Sequence, residues 1–131
     1  MACHCTDCQK FSGSPFLAAA VTPVGDVKIY GTMTEFLKIA ENGNERVQGF
    51  CGKCGSHLYS TDSAKTLFEI RTGCLDQHHE LVPARHIVGK PAVEWVGEIA
   101  DSLWVAEGPA SGAMMSFKKT QLFFAAMLIG G

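Results

Sequence analysis

The sequence predicts a mainly β fold. Short apolar runs alternate with Gly, Pro, Asn and Asp, few windows hold helical periodicity for three turns, and two tight cysteine clusters punctuate the runs. In chain order, Phe16 to Val21 is an apolar run stopped by Pro23 and Gly25, Val27 to Tyr30 alternates, and Glu35 to Ile39 follows Gly31. These three read as consecutive antiparallel strands. Asn42-Gly43-Asn44 is a turn, because both residue types tolerate positive φ, and it leads through Val47 to Phe50 into Cys51-Gly52-Lys53-Cys54-Gly55. That bend precedes a strand from His57 to Ser60, and Leu67 to Arg71 is a further strand ended by Gly73.

The later chain is less regular. Gln77 to Pro83 is polar, and its adjacent His78 and His79 read as exposed loop histidines, since neighbouring side chains in extended backbone face opposite ways. His86 opens a short apolar run with Ile87 and Val88, and Trp95 and Trp104 are expected to cap the core with buried ring area. The tail from Ser116 to Gly131 contains the apolar stretch Leu122 to Ile129, which is too short to span a bilayer.

At 131 residues the chain reads as a single domain spanning residues 1–131. Its net charge is −2 and its eleven Lys and Arg are scattered, which leaves no electrostatic footprint for nucleic acid or an anionic membrane. No segment has the length of a spanning helix and no secretory pattern opens the chain, so the expected compartment is the cytoplasm. Thiols stay reduced there, and clustered cysteines bind metal or do chemistry more often than they staple a fold.

Cys3-His4-Cys5-Thr6-Asp7-Cys8 opens the chain, and with Cys51 and Cys54 it accounts for five of the six cysteines. Thiolates two and three positions apart can close on one tetrahedral ion, so the spacing reads as zinc. A closed structural zinc takes four ligands and a catalytic one takes three plus an open position. Cys3, Cys5 and Cys8 can direct three sulfurs from one loop at a single ion and leave its fourth position free. Such a thiolate-rich ion suits a soft ligand, above all an incoming thiol. Spacing alone equally allows a closed site of Cys5, Cys8, Cys51 and Cys54 with Cys3 an onlooker. His4 reads as pointing away from the ion, and Cys74, after Gly73, as a small buried apolar residue. Gly13-Ser14-Pro15-Phe16 is either a turn into the next strand or the wall of a substrate pocket.

Cys3-His4-Cys5-Thr6-Asp7-Cys8-Gln9-Lys10 with Ser12-Gly13-Ser14-Pro15-Phe16, followed by Phe50-Cys51-Gly52-Lys53-Cys54-Gly55-Ser56-His57-Leu58, resembles the glutathione-dependent formaldehyde-activating enzyme family, which also contains centromere protein V. Gly73-Cys74-Leu75-Asp76, His86-Ile87, Trp95 and the run Asp101 to Pro109 resemble its later landmarks, so residues 1–109 carry the likeness and 110–131 form an atypical tail. The resemblance implies a zinc-bearing β-tent of antiparallel sheets. It implies a catalytic zinc on Cys3, Cys5 and Cys8, and half of a structural zinc on Cys51 and Cys54. The family's other half is a CxC motif upstream of the first cluster, where only Met1 and Ala2 stand here. The expectation is a chain lacking the first strands of that fold, with an exposed sheet edge and a tendency to form homo-oligomers.

The function implied is a zinc-dependent carbon–sulfur lyase that adds glutathione reversibly to formaldehyde, giving S-hydroxymethylglutathione or a related thiol adduct. Its partners would be a small thiol and an aldehyde, with no nucleic acid and no membrane. The alternative is a non-catalytic zinc-binding structural or interaction module. Thiol redox readings would need an exposed cysteine of low pKa outside the metal sites, and Cys74 is the one available.

Overall fold

In the computed structural model, which describes residues 1–115, the chain divides into a compact unit from Met1 to Val93 and a second that begins at Glu94. The first unit is mainly β. Its strands are β1 (Ala2–Cys3), β2 (Leu17–Pro23), β3 (Thr34–Ile39), β4 (Glu45–Phe50), β5 (His57–Asp62), β6 (Leu67–Arg71) and β7 (His86–Ile87), with one helix, α1 (Thr6–Ser12). They form a seven-stranded mixed sheet in the order β3-β4-β5-β6-β2-β1-β7, in which only β1 and β7 run parallel.

Each hairpin has a local cause. Between β3 and β4, Gly43 takes φ 83° while Asn42 Oδ1 accepts from the Asn44 N–H at 3.0 Å, the turn chemistry expected of Asn-Gly. Between β5 and β6, Asp62 Oδ1 accepts from the N–H groups of Thr66 and Leu67 at 2.9 and 3.0 Å, and Lys65 takes the left-handed position at φ 55°. The sheet's interior is built around Leu17, Ala19, Val47, Tyr59 and Phe68, all buried, with the Tyr59 and Phe68 rings edge to face at 5.1 Å.

Three expectations need correction. Val27 to Tyr30 forms no strand: after a 3-10 turn at Val24–Asp26 the segment runs without a ladder partner, and Tyr30 is 83 % exposed. Its alternation of apolar and polar residues fits any extended chain, and nothing local supplies a neighbour. The first strands are also not consecutive in the sheet, because β2 pairs with β6 and β3 with β4. Trp95 does not cap a core, being half-exposed on the 3-10 segment Glu94–Asp101.

The second unit holds that segment and a short antiparallel pair, β8 (Trp104–Val105) with β9 (Met114–Met115). Trp104 is only partly buried there, and its indole N–H donates to the Ala100 carbonyl at 3.0 Å. The expectations for Ser116 to Gly131 fall outside the described residues. Gln77 to Pro83 is irregular as expected, with His78 and His79 exposed and their rings 4.2 Å apart. Among the described residues no helix is long and apolar enough to cross a membrane.

Candidate metal centre

β1 is short, yet it is the joint of the site. It pairs with β2 on one side and β7 on the other, and the His4 N–H extends the second ladder to the Ile87 carbonyl at 3.1 Å. Cys3 is thereby fixed and buried. The chain then turns into α1, where the expectation of a plain loop fails: Cys5 caps the helix and Cys8 lies within it. The Cys5 sulfur accepts from the Cys8 N–H at 3.3 Å, standing where Ser or Asp usually caps. Gly13 closes the helix at φ 61°, a backbone state that favours glycine.

This geometry brings the sulfurs of Cys3, Cys5 and Cys8 within 4.8 Å of one another. A zinc–sulfur bond of ~2.3 Å puts tetrahedral ligands roughly 3.8 Å apart, so the three thiols fit a single zinc. The thiols already interact. The Cys8 S–H hydrogen bond draws Cys3 down to about 6, while the same contact and burial push Cys8 well above an ordinary thiol. Among the described residues no fourth His, Cys, Asp or Glu joins the cluster, and the closed set of Cys5, Cys8, Cys51 and Cys54 is not formed.

His4 points away from the sulfurs, but into the interior rather than to the surface. It is 2 % exposed, its Nε2 lies 2.8 Å from His86 Nδ1, and the Phe16 ring packs on it at 5.4 Å. Gln9 Nε2 donates to the carbonyls of His4 and Pro91 at 2.8 and 3.0 Å, tying the helix to the segment after β7. Lys38 Nζ on β3 donates to Asp7 at 2.6 Å and holds its carboxyl below the usual range. Cys5 borders a groove of about 270 Å³ with Asp7 and Lys38, and a second of about 610 Å³ that reaches Lys90. Val88 lines both in a left-handed conformation at φ 51°, strained for a β-branched residue.

Cys51 and Cys54 sit in the β4–β5 connection, where Gly55 takes φ 75° and its N–H donates to the Cys51 carbonyl at 2.8 Å. Cys54 Sγ lies 3.2 Å from Ser56 Oγ; that hydroxyl first, then the Ser56 backbone N–H and after it the Cys51 thiol lower the Cys54 pKa. The pair offers two sulfurs, and among the described residues no third such ligand joins them.

Cys74 is exposed, not buried as expected, because it falls in a 3-10 turn at Thr72–Cys74 rather than inside the sheet. Its S–H donates to the His57 carbonyl at 3.2 Å, and partial burial pushes its pKa up. Gly13-Ser14-Pro15-Phe16 proves to be both a turn and a wall: Gly13 ends α1, while Ser14 and Phe16 line a further cleft of about 610 Å³. Arg71 lines the same cleft, and nothing in the sequence marked it. An arginine ending a strand is ordinary until the fold buries it.

The model of the glutathione-dependent formaldehyde-activating enzyme family matches residues 1–90. The chain belongs to that family. The matched span holds all six cysteines, the whole seven-stranded sheet and the smaller groove beside Cys5, and it takes in the second groove except for Pro91. It stops short of Trp95 and of the run Asp101 to Pro109, which therefore do not share in this match. A search of curated proteins finds no match.

Proposed function

We propose that the chain is a zinc-dependent carbon–sulfur lyase that adds glutathione reversibly to formaldehyde, giving S-hydroxymethylglutathione or a related thiol adduct. The observation that carries this reading is the three-sulfur cluster, joined by no fourth protein ligand among the described residues and bordered through Cys5 by open grooves, in a member of this family. Cys3, Cys5 and Cys8 would hold the catalytic zinc, and Cys51 and Cys54 would contribute two thiolates to a second ion. When bound, zinc would supply Lewis acidity and favour the thiolate form of an incoming thiol at neutral pH.

The chain's own residues provide position. The Cys8 N–H orients the Cys5 sulfur, Gln9 and the Asp7–Lys38 pair fix α1, and the β1–β7 ladder holds Cys3. The reaction forms one carbon–sulfur bond, and the thiol proton ends on the new hydroxyl, so no oxidant or reductant is required. Bringing two reactants together in one site supplies most of the rate advantage.

A non-catalytic zinc module predicts a closed ion, and among the described residues the three-sulfur cluster gains no fourth protein ligand, which supports the lyase reading. A redox role for Cys74 is disfavoured by its raised pKa. We place the protein in the cytoplasm, where thiol ligands stay reduced. We also expect self-association along edge strand β3, where Phe36 and Leu37, on opposite faces, are both half-exposed; a monomeric mass at every concentration would refute it.

The deciding experiment is glutathione titration of the cobalt-substituted protein. A visible spectrum that shifts with glutathione in the wild type, and is lost in Cys5→Ser, is the expected result. A spectrum blind to glutathione would sink the lyase reading.

A further inference from the structure

The segment that follows β7 is tied twice to one residue of the cysteine loop. The His4 N–H donates to the Ile87 carbonyl at 3.1 Å, and the His4 carbonyl accepts from Gln9 Nε2 at 2.8 Å, while that same nitrogen donates to the Pro91 carbonyl at 3.0 Å. A carboxamide nitrogen carries two N–H donors, so both are engaged. His4 stands between Cys3 and Cys5, and Gln9 follows Cys8 on α1. One side chain therefore joins the peptide between two of the sulfur-bearing residues, the helix of the third, and the far end of the strap from Ile87 to Pro91.

What lies between the two ties is short and lines the site. Val88, Gly89 and Lys90, with Pro91, wall the groove of about 610 Å³ that Cys5, Thr6 and Glu41 also line. All three are exposed, so packing does little to hold them. Val88 nevertheless keeps φ 51°, and a β-branched residue stays in that region only where its surroundings over-determine it. The ties at Ile87 and Pro91 flank it and supply that restraint, and a turn closed by the Ala92 N–H on the Gly89 carbonyl at 3.1 Å completes the strap. Cutting one tie releases the strain, so the shape of the wall depends on how firmly His4 is held.

We propose that Gln9 is a positioning residue that couples occupancy of the cysteine cluster to the shape of this groove wall, so that Val88 to Lys90 are held against an entering thiol while the cluster carries its ion and are freed when it does not. Once three sulfurs close on one ion, the peptide between Cys3 and Cys5 loses its freedom, and its carbonyl passes that restraint to Pro91 through Gln9. A neutral amide suits the task. Glutamate would face two carbonyls with acceptors alone, and methionine fills the space without a donor. This rests on the lyase reading for the thiol and adds what keeps the groove in form.

The test reads hydrogen exchange of the Ala92 N–H in zinc-loaded and chelator-stripped full-length protein. Zinc should slow it by about 10-fold in the wild type, the effect of a hydrogen bond or two made firm in the loaded state. In Gln9→Met, zinc should leave Ala92 exchange unchanged yet still slow the His4 N–H, whose tie to Ile87 survives; a variant that is merely less stable would lose both responses. Its cobalt spectrum without glutathione should match the wild type, because all three sulfurs remain, while its glutathione affinity in the cobalt titration should fall by about 5- to 10-fold. Gln9→Glu should behave as Gln9→Met does. If zinc protects Ala92 in the wild type but glutathione leaves the cobalt spectrum unmoved, the coupling stands and the lyase reading falls. Wild-type Ala92 exchange that is blind to zinc, or a zinc response at Ala92 that Gln9→Met retains, overturns the proposal. The first of these outcomes needs no variant to fold.

Discussion

Gly49 shows how much one residue can decide without announcing it. It stands opposite Tyr59 in the β4–β5 ladder, and a Cβ at this position would run into the Tyr59 ring. Tyr59 lies across the glycine so that its hydroxyl can donate to Glu35 at 2.6 Å, a carboxylate that also binds Lys65 at 2.7 Å. Burial, and then Glu35, push the phenol up to about 12. Gly49→Ala should therefore destabilise the protein by about 1–3 kcal/mol through overpacking, read as a lower urea midpoint with an unchanged slope. An unshifted midpoint would mean that the ring can move aside freely. The cysteines were legible at this scale because ligand spacing is written in adjacent positions. Arg71 and the His4–His86 contact were not, since each depends on residues that only the sheet brings together.

Among the elements, hairpins with local chemistry could be read and ladders between distant segments could not. Leu67–Arg71 and the Asn42-Gly43 turn are where the residues said they would be, whereas the β2–β6 pairing joins segments that no local pattern links. The β5–β6 turn gives a test of this local logic. The Leu67 N–H and then Thr66 hold the Asp62 carboxyl down from 3.8 to about 2. A carboxyl depressed in the folded state stabilises above its unfolded pKa, and that contribution is lost as pH falls through the folded value. Wild type should thus lose stability between about pH 4 and pH 2 more steeply than Asp62→Asn, in urea melts across that window. Parallel pH profiles would remove Asp62 from the account.

For the whole molecule, the position of β1 matters more than its length. The four-strand meander β3 to β6 carries Val47, Tyr59 and Phe68, whereas the β1–β7 side rests on a two-residue strand and on Ala2, Cys3 and His4. The proposed zinc on Cys3, Cys5 and Cys8 would join β1 to α1 at this weaker side, and binding free energy of that kind acts as folding free energy. Stripping the metal with a chelator should then lower the thermal midpoint by roughly 10 °C, the effect of about 2 kcal/mol in a domain of this size, and added zinc should restore it. The loss should also be ordered in space. Hydrogen exchange should accelerate first at the N–H groups of Ala2 and His4, which bond to Arg85 and Ile87, while the N–H groups of β4 and β5 stay protected until global unfolding. Loss of protection in the meander at the same chelator concentration would show that metal on Cys51 and Cys54, at the β4–β5 turn, is what holds the sheet. The cysteine cluster would then be a passenger on a fold secured elsewhere.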